Sequence, residues 1–268
     1  MRLALHLLLL TVTSSAWAQA PASDPHAGHS GHGADAAPAP AGLDPLRDAG
    51  VPAADRQKAL AAKGGTMAEA AWKEIEGCGA CLAANDLASV LAARPVTELA
   101  SVAPAMTAAL KDGSPHVRAA AARALCALPE AQRPEAAKPL KPVAVKTTTV
   151  VGKMAWDPKE FTVEPGALVA LHMDNPDSMQ HNMLLTVPGA LTEIGVAAEK
   201  LGEGMDGKRR QFVPDSAKVL FVMGLVAPGQ SGEMWFFAPE KPGTYPLVCT
   251  YPGHWRLMNG KLKVAKKG

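Results

Sequence analysis

From Val145 onward the apolar positions fall in short β-rich runs broken by polar turns: "KTTTVV", "EFTVEPG", "ALVALHM", "HNMLLTV", "KVLFV", "SGEMWFF", "GTYPLVCT" and "GKLKV". Each is rich in β-branched or aromatic residues and is bounded by Gly, Pro, Asn or Asp, which marks strands separated by turns. About eight strands in close succession predict a sandwich or barrel closed by antiparallel strands, not a βαβ fold. One segment breaks the period of two. In "LTEIGVAAEKLGEGMDGKRRQF", Ile194, Ala197, Ala198 and Leu201 fall at helical spacing, which predicts a short helix lying across the sandwich as a flap.

The pattern upstream is different. Pro45 to Pro129 is rich in Ala and Leu, shows no alternation, and reads as short helices interrupted at Gly64-Gly65, Gly77 to Gly79, Arg94-Pro95 and Gly113 to Pro115. The piece "TELASVAPAMTAALKDGSPHVRAAAARALCAL" resembles a HEAT repeat: an apolar helix, a turn with Asp112 and Pro115, and a second helix led by Val117-Arg118. The resemblance covers one repeat, and stacked repeats need about three copies for a continuous core, so this unit is expected to pack on its neighbours. His116 in the turn reads as a solvated surface residue. Residues 130–144, punctuated by Pro134, Pro139 and Pro142, read as an interdomain linker. Residues 19–44 are Ala, Pro, Gly, Ser and His, a tether that cannot form a packed core.

Composition adds location. Met1-Arg2, the apolar run Leu3 to Val12 and the ending Ala16-Trp17-Ala18 have the parts of a secretory leader cleaved before Gln19. The run falls short of the roughly 20 residues that a membrane span requires. The mature protein is therefore expected to be periplasmic or secreted, where thiols are oxidised unless something else engages them. With 27 basic and 25 acidic residues among 268, the charge balance gives no case for nucleic acid.

That makes the four cysteines informative. In "GTYPLVCT" alternation turns Tyr245, Leu247 and Cys249 to one face, so Cys249 points inward at the end of its strand. Pro252-Gly253 then turns the chain and brings the His254 imidazole back toward the sulfur, and Met258 follows one short loop later. A thiolate, an imidazole and a weak thioether are three parts of the His₂Cys plus axial Met set of a blue-copper centre. The second histidine is His172 or His181. His172 is opposite in parity to Val169, Leu171 and Met173 and should face solvent, whereas His181 opens the strand "HNMLL" after the Asn175-Pro176-Asp177 turn and is better placed.

These segments, "CTYPGHWRLMNGKLKV" and "MQHNMLL", resemble the copper loop and first-histidine segment of azurin-like cupredoxins, including the auracyanin type. The resemblance runs from about Val145 to Val264 and implies a Greek-key β-sandwich holding one type 1 copper. It also implies His181, Cys249, His254 and Met258 as the ligands, with Asn182 and Thr250 bracing the two ligand segments. Two departures stand out. Gln180 replaces the glycine whose carbonyl is an axial ligand in azurin, and the azurin disulfide is missing because Cys249 is the single cysteine after residue 145.

Of the other thiols, Cys78 and Cys81 form a C-x-x-C followed by Leu82 in place of the histidine of a haem-attachment motif, so a disulfide is expected, with Cys126 as a competing partner. The expectation is a multi-domain chain, α plus all-β, in which a short helical HEAT-like segment precedes the cupredoxin sandwich. It is an electron carrier, not an enzyme, exchanging electrons with redox proteins and docking partners through the helical segment. Copper trafficking or storage is the alternative, because His26, His29 and His32 in the tether are able to capture metal. The resemblance further places the edge of His254 at the surface, ringed by Met179, Tyr251, Pro252, Trp255 and Leu257 as an apolar docking patch. The competing expectation has Trp255 and Leu257 packed beneath the loop.

Overall fold

Where the alternation begins, a two-sheet sandwich begins. The computed structural model describes residues 92–93, 95–204, 207–208 and 210–266; the leader, the tether with its three histidines, Cys78, Cys81 and the segment 45–91 lie outside the described residues. The strands are β1 (Val143–Thr149), β2 (Trp156–Asp157), β3 (Glu160–Val163), β4 (Leu168–Asn175), β5 (His181–Thr186), β6 (Val219–Val226), β7 (Gln230–Phe237), β8 (Gly243–Val248) and β9 (Asn259–Val264). One sheet has the order β2-β1-β4-β7 and the other β3-β9-β8-β5-β6. Inward residues of both, among them Leu171, Met173, Met183, Leu185, Phe236, Leu247 and Leu262, form the core.

The sheets are mixed, which departs from the antiparallel expectation: β1 runs parallel to β4, and β3 runs parallel to β9. The chain leaves one sheet after β2 and enters the other at β3, so β1 gains β4, and β3 gains β9, as a neighbour that is not consecutive in sequence. Alternation within a strand reports which face is buried and carries no information about the neighbour's direction.

The irregular segment after β5 contains the expected helix, α3 (Leu191–Leu201), which buries Ile194, Gly195 and Ala198. Ile194 and Ala190 pack with Leu184, Val222 and Val248 on the outer face of the second sheet. That explains why all six residues of β5 are buried: one face meets the core and the other meets α3.

Before the sandwich stand α1 (Val96–Ala109) and α2 (Pro115–Ala127). Ser114 caps α2, its hydroxyl accepting from the Val117 amide, and Pro115 occupies the first turn, where a missing N–H costs nothing. Leu99 and Met106 of α1 pack on Val117, Ala121 and Leu125 of α2. The proline-punctuated stretch that follows makes 3₁₀ turns at Glu130–Gln132 and Glu135–Ala137, and Ala137 is fully buried in the helical cluster. Arg133 fastens it by donating to the carbonyls of Leu128 and Cys126 at 3.0 and 2.7 Å. The two helices and the sandwich fall in one compact unit.

The helix pair meets the sandwich where the end strands of the two sheets, β6 and β7, face one another. Ala119 of α2 joins the sandwich core. Arg123 pairs with Glu233 of β7 at 2.9 Å and lies over the Trp235 ring. His116, expected at the surface, sets its ring edge-on to Phe221 of β6, with centroids 5.0 Å apart. Burial, and secondarily the Arg118 charge, bring its pKa down to about 4 from the usual 6.5. Folding therefore favours the neutral ring: the stability it contributes is complete above pH 6.5 and is lost as pH falls toward about 4. Replacing His116 with Asn is expected to reduce the loss of thermal midpoint between those two pH values. An unchanged loss would show that His116 does not contribute to it.

Candidate metal centre

Two strand ends make the centre. β5 is antiparallel to β8, with Leu184 opposite Val248, so the residue that opens β5 and the residue after β8 come to the same end of the sandwich. His181 and Cys249 are those residues, and both are fully buried. The alternation expected along β8 holds: Tyr245, Leu247 and Cys249 are buried on one side.

The loop beyond Cys249 is tightly wound. His254 N–H donates to the Tyr251 carbonyl at 3.0 Å, and Gly253 adopts φ of +81°, a left-handed conformation natural only to glycine. Met258 N–H donates to the His254 carbonyl at 2.8 Å, and Cys249 N–H donates to the Met258 carbonyl at 3.0 Å, which closes the loop on itself. His254 and Met258 are thereby returned to the cysteine, and both are fully buried.

The side-chain atoms converge. Cys249 Sγ lies 3.9 Å from His181 Nδ1 and 3.6 Å from His254 Nδ1, and all three atoms lie within 4.8 Å of one another. Bonds of about 2.0–2.3 Å to a first-row divalent ion would separate ligands in a trigonal plane by roughly 3.5–4 Å, so the spacing fits such an ion. His172 is elsewhere, half-exposed on the outer face of β4 with Asp174 at 2.8 Å and Glu233 at 3.6 Å. Gln180 is exposed.

Polar contacts fix the two ligand segments against each other. The Asn182 side chain accepts from the Thr250 amide at 2.7 Å and donates to the Thr250 hydroxyl and to the Gln211 carbonyl, each at 2.8 Å. All of these groups are buried, where a satisfied network is strong and a broken one is costly. Backbone amides of Tyr251 and Asn182 donate to the Cys249 sulfur.

Electrostatics favour an ion as well. Burial pushes the Cys249 thiol up to about 12, against the pull of those two amides. Burial lowers His254 to about 4, with the nearby His181 acting in the same direction and Asp177 opposing. Burial lowers His181 too, while Asp177 raises it. At neutral pH the histidines thus present uncharged nitrogens, and the thiol gives up its proton readily only to a cation at the same spot.

Two contacts at the site were not legible in the sequence. Asp177, read only as part of a turn, is buried with its Oδ2 3.2 Å from His181 Nε2. Tyr251 lies against His254 with centroids 4.9 Å apart and the rings tilted by 48°, and is met edge-on by Phe212. In consequence the His254 edge does not reach the surface: its ring is fully buried and Nε2 has no hydrogen-bond partner. Trp255 is likewise buried, so the docking patch loses its indole to packing, while Met179 and Leu257 remain exposed at 39% and 70%. A lone carboxylate four residues before a histidine carries little signal in a turn, and the aromatic cover depends on a segment far upstream of the loop.

Outside this centre, Cys126 carries a free, half-buried thiol in α2. Among the described residues no helix is long and apolar enough to cross a membrane.

Residues 143–265 match the family of copper binding proteins described as plastocyanin/azurin. Auracyanin-A of Chloroflexus aurantiacus is 31% identical over 125 residues, covering 46% of this chain and 75% of that protein. Auracyanin-B of the same bacterium is 29% identical over 118 residues, covering 41% of this chain and 47% of that protein. A solved structure of auracyanin A, described as a "blue" copper protein, aligns with 29% identity and a TM-score of 0.43, covering 47% of this chain and all of that one. The family match begins at the first residue of β1, after α1 and α2.

Proposed function

Because the chain belongs to the plastocyanin/azurin family of copper binding proteins, we propose that His181, Cys249, His254 and Met258 hold its copper and that it carries single electrons between redox proteins. The observation that carries this reading is the convergence of Cys249 Sγ with two imidazole Nδ1 atoms in a fully buried place. A bound copper ion supplies the Cu(II)/Cu(I) couple.

The rest is the work of the chain. The amides of Asn182 and Tyr251 favour the thiolate form of the sulfur. The bonds between Asn182 and Thr250 keep the His181 and Cys249 segments from drifting apart. The hydrogen bonds of the 249–258 loop keep His254 and Met258 where they are. A thiolate and two imidazoles suit both oxidation states of copper, and the soft thioether of Met258 favours the reduced one. A site that needs little rearrangement between the two states suits an electron carrier.

The leader-like residues 1–18 and a thiol protected by metal favour a periplasmic or secreted location. The donor and acceptor are redox proteins that meet the end of the sandwich bearing Met179 and Leu257. The helix pair, with its HEAT-like turn, is a second surface for a partner, held to the sandwich by Arg123 and Glu233.

Repeated chemical reduction and reoxidation of the full chain, with copper counted after each cycle, tests the proposal. Full recovery of colour and retention of one copper per chain are expected, whether or not residues 19–44 are present. Loss of copper from the reduced protein to an apo-acceptor, weakened by deleting His26, His29 and His32, would point to trafficking instead.

A further inference from the structure

The two imidazoles of the centre are backed differently. His254 has a buried Nε2 without a hydrogen-bond partner, whereas His181 Nε2 meets Asp177 Oδ2 at 3.2 Å. Both members of the second pair are removed from solvent, His181 completely and Asp177 to 4% exposure. A carboxylate is rarely buried to this extent unless its oxygens are satisfied. Here they are: Oδ1 accepts from the Ser178 amide at 2.7 Å and from the Gly152 amide, in the loop between β1 and β2, at 3.3 Å.

The turn that presents the carboxylate is itself fastened. Asp177 N–H donates to Asn175 Oδ1 at 3.2 Å, and Thr149 of β1 donates to the same oxygen at 2.8 Å. The Asn175 amide in turn donates to the carbonyls of Met179 and Val226 at 2.8 and 2.9 Å. Strands β1, β4 and β6 thus fix the place of a negative charge behind His181.

We propose that Asp177 is a positioning residue that holds His181 with Nδ1 toward Cys249 and biases the bound copper toward its oxidised state. The inference rests on the copper site proposed above. With the proton on Nε2 donated to Oδ2, the Nδ1 lone pair is left for the metal and the ring cannot turn over. A histidine polarised by a carboxylate is a stronger donor, and a negative charge in a water-poor setting favours the more positive ion. The two effects have the same sign: Asp177 lowers the reduction potential.

The test compares Asp177→Asn, which keeps the shape and an acceptor oxygen but removes the charge, with Asp177→Glu and the parent protein. For Asp177→Asn the preference for Cu(I) over Cu(II) is expected to rise about tenfold, a rise of about 59 mV for one electron. Cu(II) and redox-inert Zn(II) are expected to bind more weakly by roughly 10-fold or more, with Asp177→Glu recovering part of both changes. A potential and affinities that match the parent would overturn the inference. A parent protein that bound copper without an intense visible band would instead remove the reading of the site beneath it.

A measurement on the unaltered protein applies even if the variants do not fold. In the diamagnetic Zn(II) form, the His181 ring is expected to show a protonated Nε2 whose hydrogen exchanges slowly with water and is displaced downfield by the carboxylate. A ring protonated at Nδ1, or an Nε2 hydrogen in fast exchange, would overturn the inference equally.

Discussion

Cys249→Ala should leave a folded, colourless protein that no longer binds copper in the sandwich. The intense visible absorption of such centres is charge transfer from thiolate sulfur to Cu(II), and among the described residues Cys249 is the thiol placed between two imidazole nitrogens. Losing one sulfur atom from a fully buried position costs on the order of 1–2 kcal/mol, small against the roughly 5–15 kcal/mol of a typical domain. The effect should therefore be confined to metal binding. Absorption spectra and copper stoichiometry of Cys249→Ala and Cys126→Ala, measured together, check this: the first loses both and the second keeps both. Colour surviving in Cys249→Ala would mean that the metal is held elsewhere.

The second large effect is expected at a position with no polar atom in its side chain. A Cβ placed on Gly195 of α3 would lie 2.2 Å from Cδ2 and 2.6 Å from Cγ of Trp255. Those atoms belong to the rigid body of the indole and cannot swing aside. The ring is also fastened to the same helix, its Nε1–H donating to Glu199 at 2.8 Å while Arg256 pairs with the same carboxylate and lies over the ring.

Alanine in a helix interior is worth about 1 kcal/mol over glycine, but overpacking costs about 1–3 kcal/mol. With so close a contact to a rigid ring the cost lies at the upper end of that range, and Gly195→Ala should be net destabilising, by up to about 2 kcal/mol. Since Trp255 is the residue after His254, displacing the indole should also shift that imidazole and alter the visible and EPR spectra of the copper form. Replacing Trp255 with Leu in the same chain should restore part of the stability. A Gly195→Ala protein with parental melting temperature and spectrum would show that α3 does not buttress the loop.

The centre was legible because its chemistry is concentrated along the chain. Cys249, His254 and Met258 sit in one loop whose Pro-Gly turn returns it to its start, and parity along one strand set His172 aside while the turn before "HNMLL" placed His181 at a strand end. α3 was legible from the spacing of Ile194, Ala198 and Leu201, and the turn between α1 and α2 from Asp112 and Pro115, although α2 begins two residues before the expected Val117. What remained hidden depends on partners distant in sequence. β2 has two residues, too few for any period, and the parallel pairing of β1 with β4 and of β3 with β9 is set by how the chain crosses between sheets. The cover on His254 comes from Phe212 through Tyr251, and the role of Asp177 depends on an amide at Gly152. None of these leaves a mark in local composition.

The seat of α2 against β6 and β7 bears on how the protein behaves in company. A two-sheet sandwich that does not close into a barrel has strands at its margins with unpaired N–H and C=O groups, and such margins invite pairing with another chain. Here β7 ends one sheet and β6 the other. Ala119 enters the gap between them, His116 leans on β6 and Arg123 grips β7. The helix stands guard over that open seam, so that a copy of the protein approaching from this side meets a helix where it would otherwise find a strand to extend.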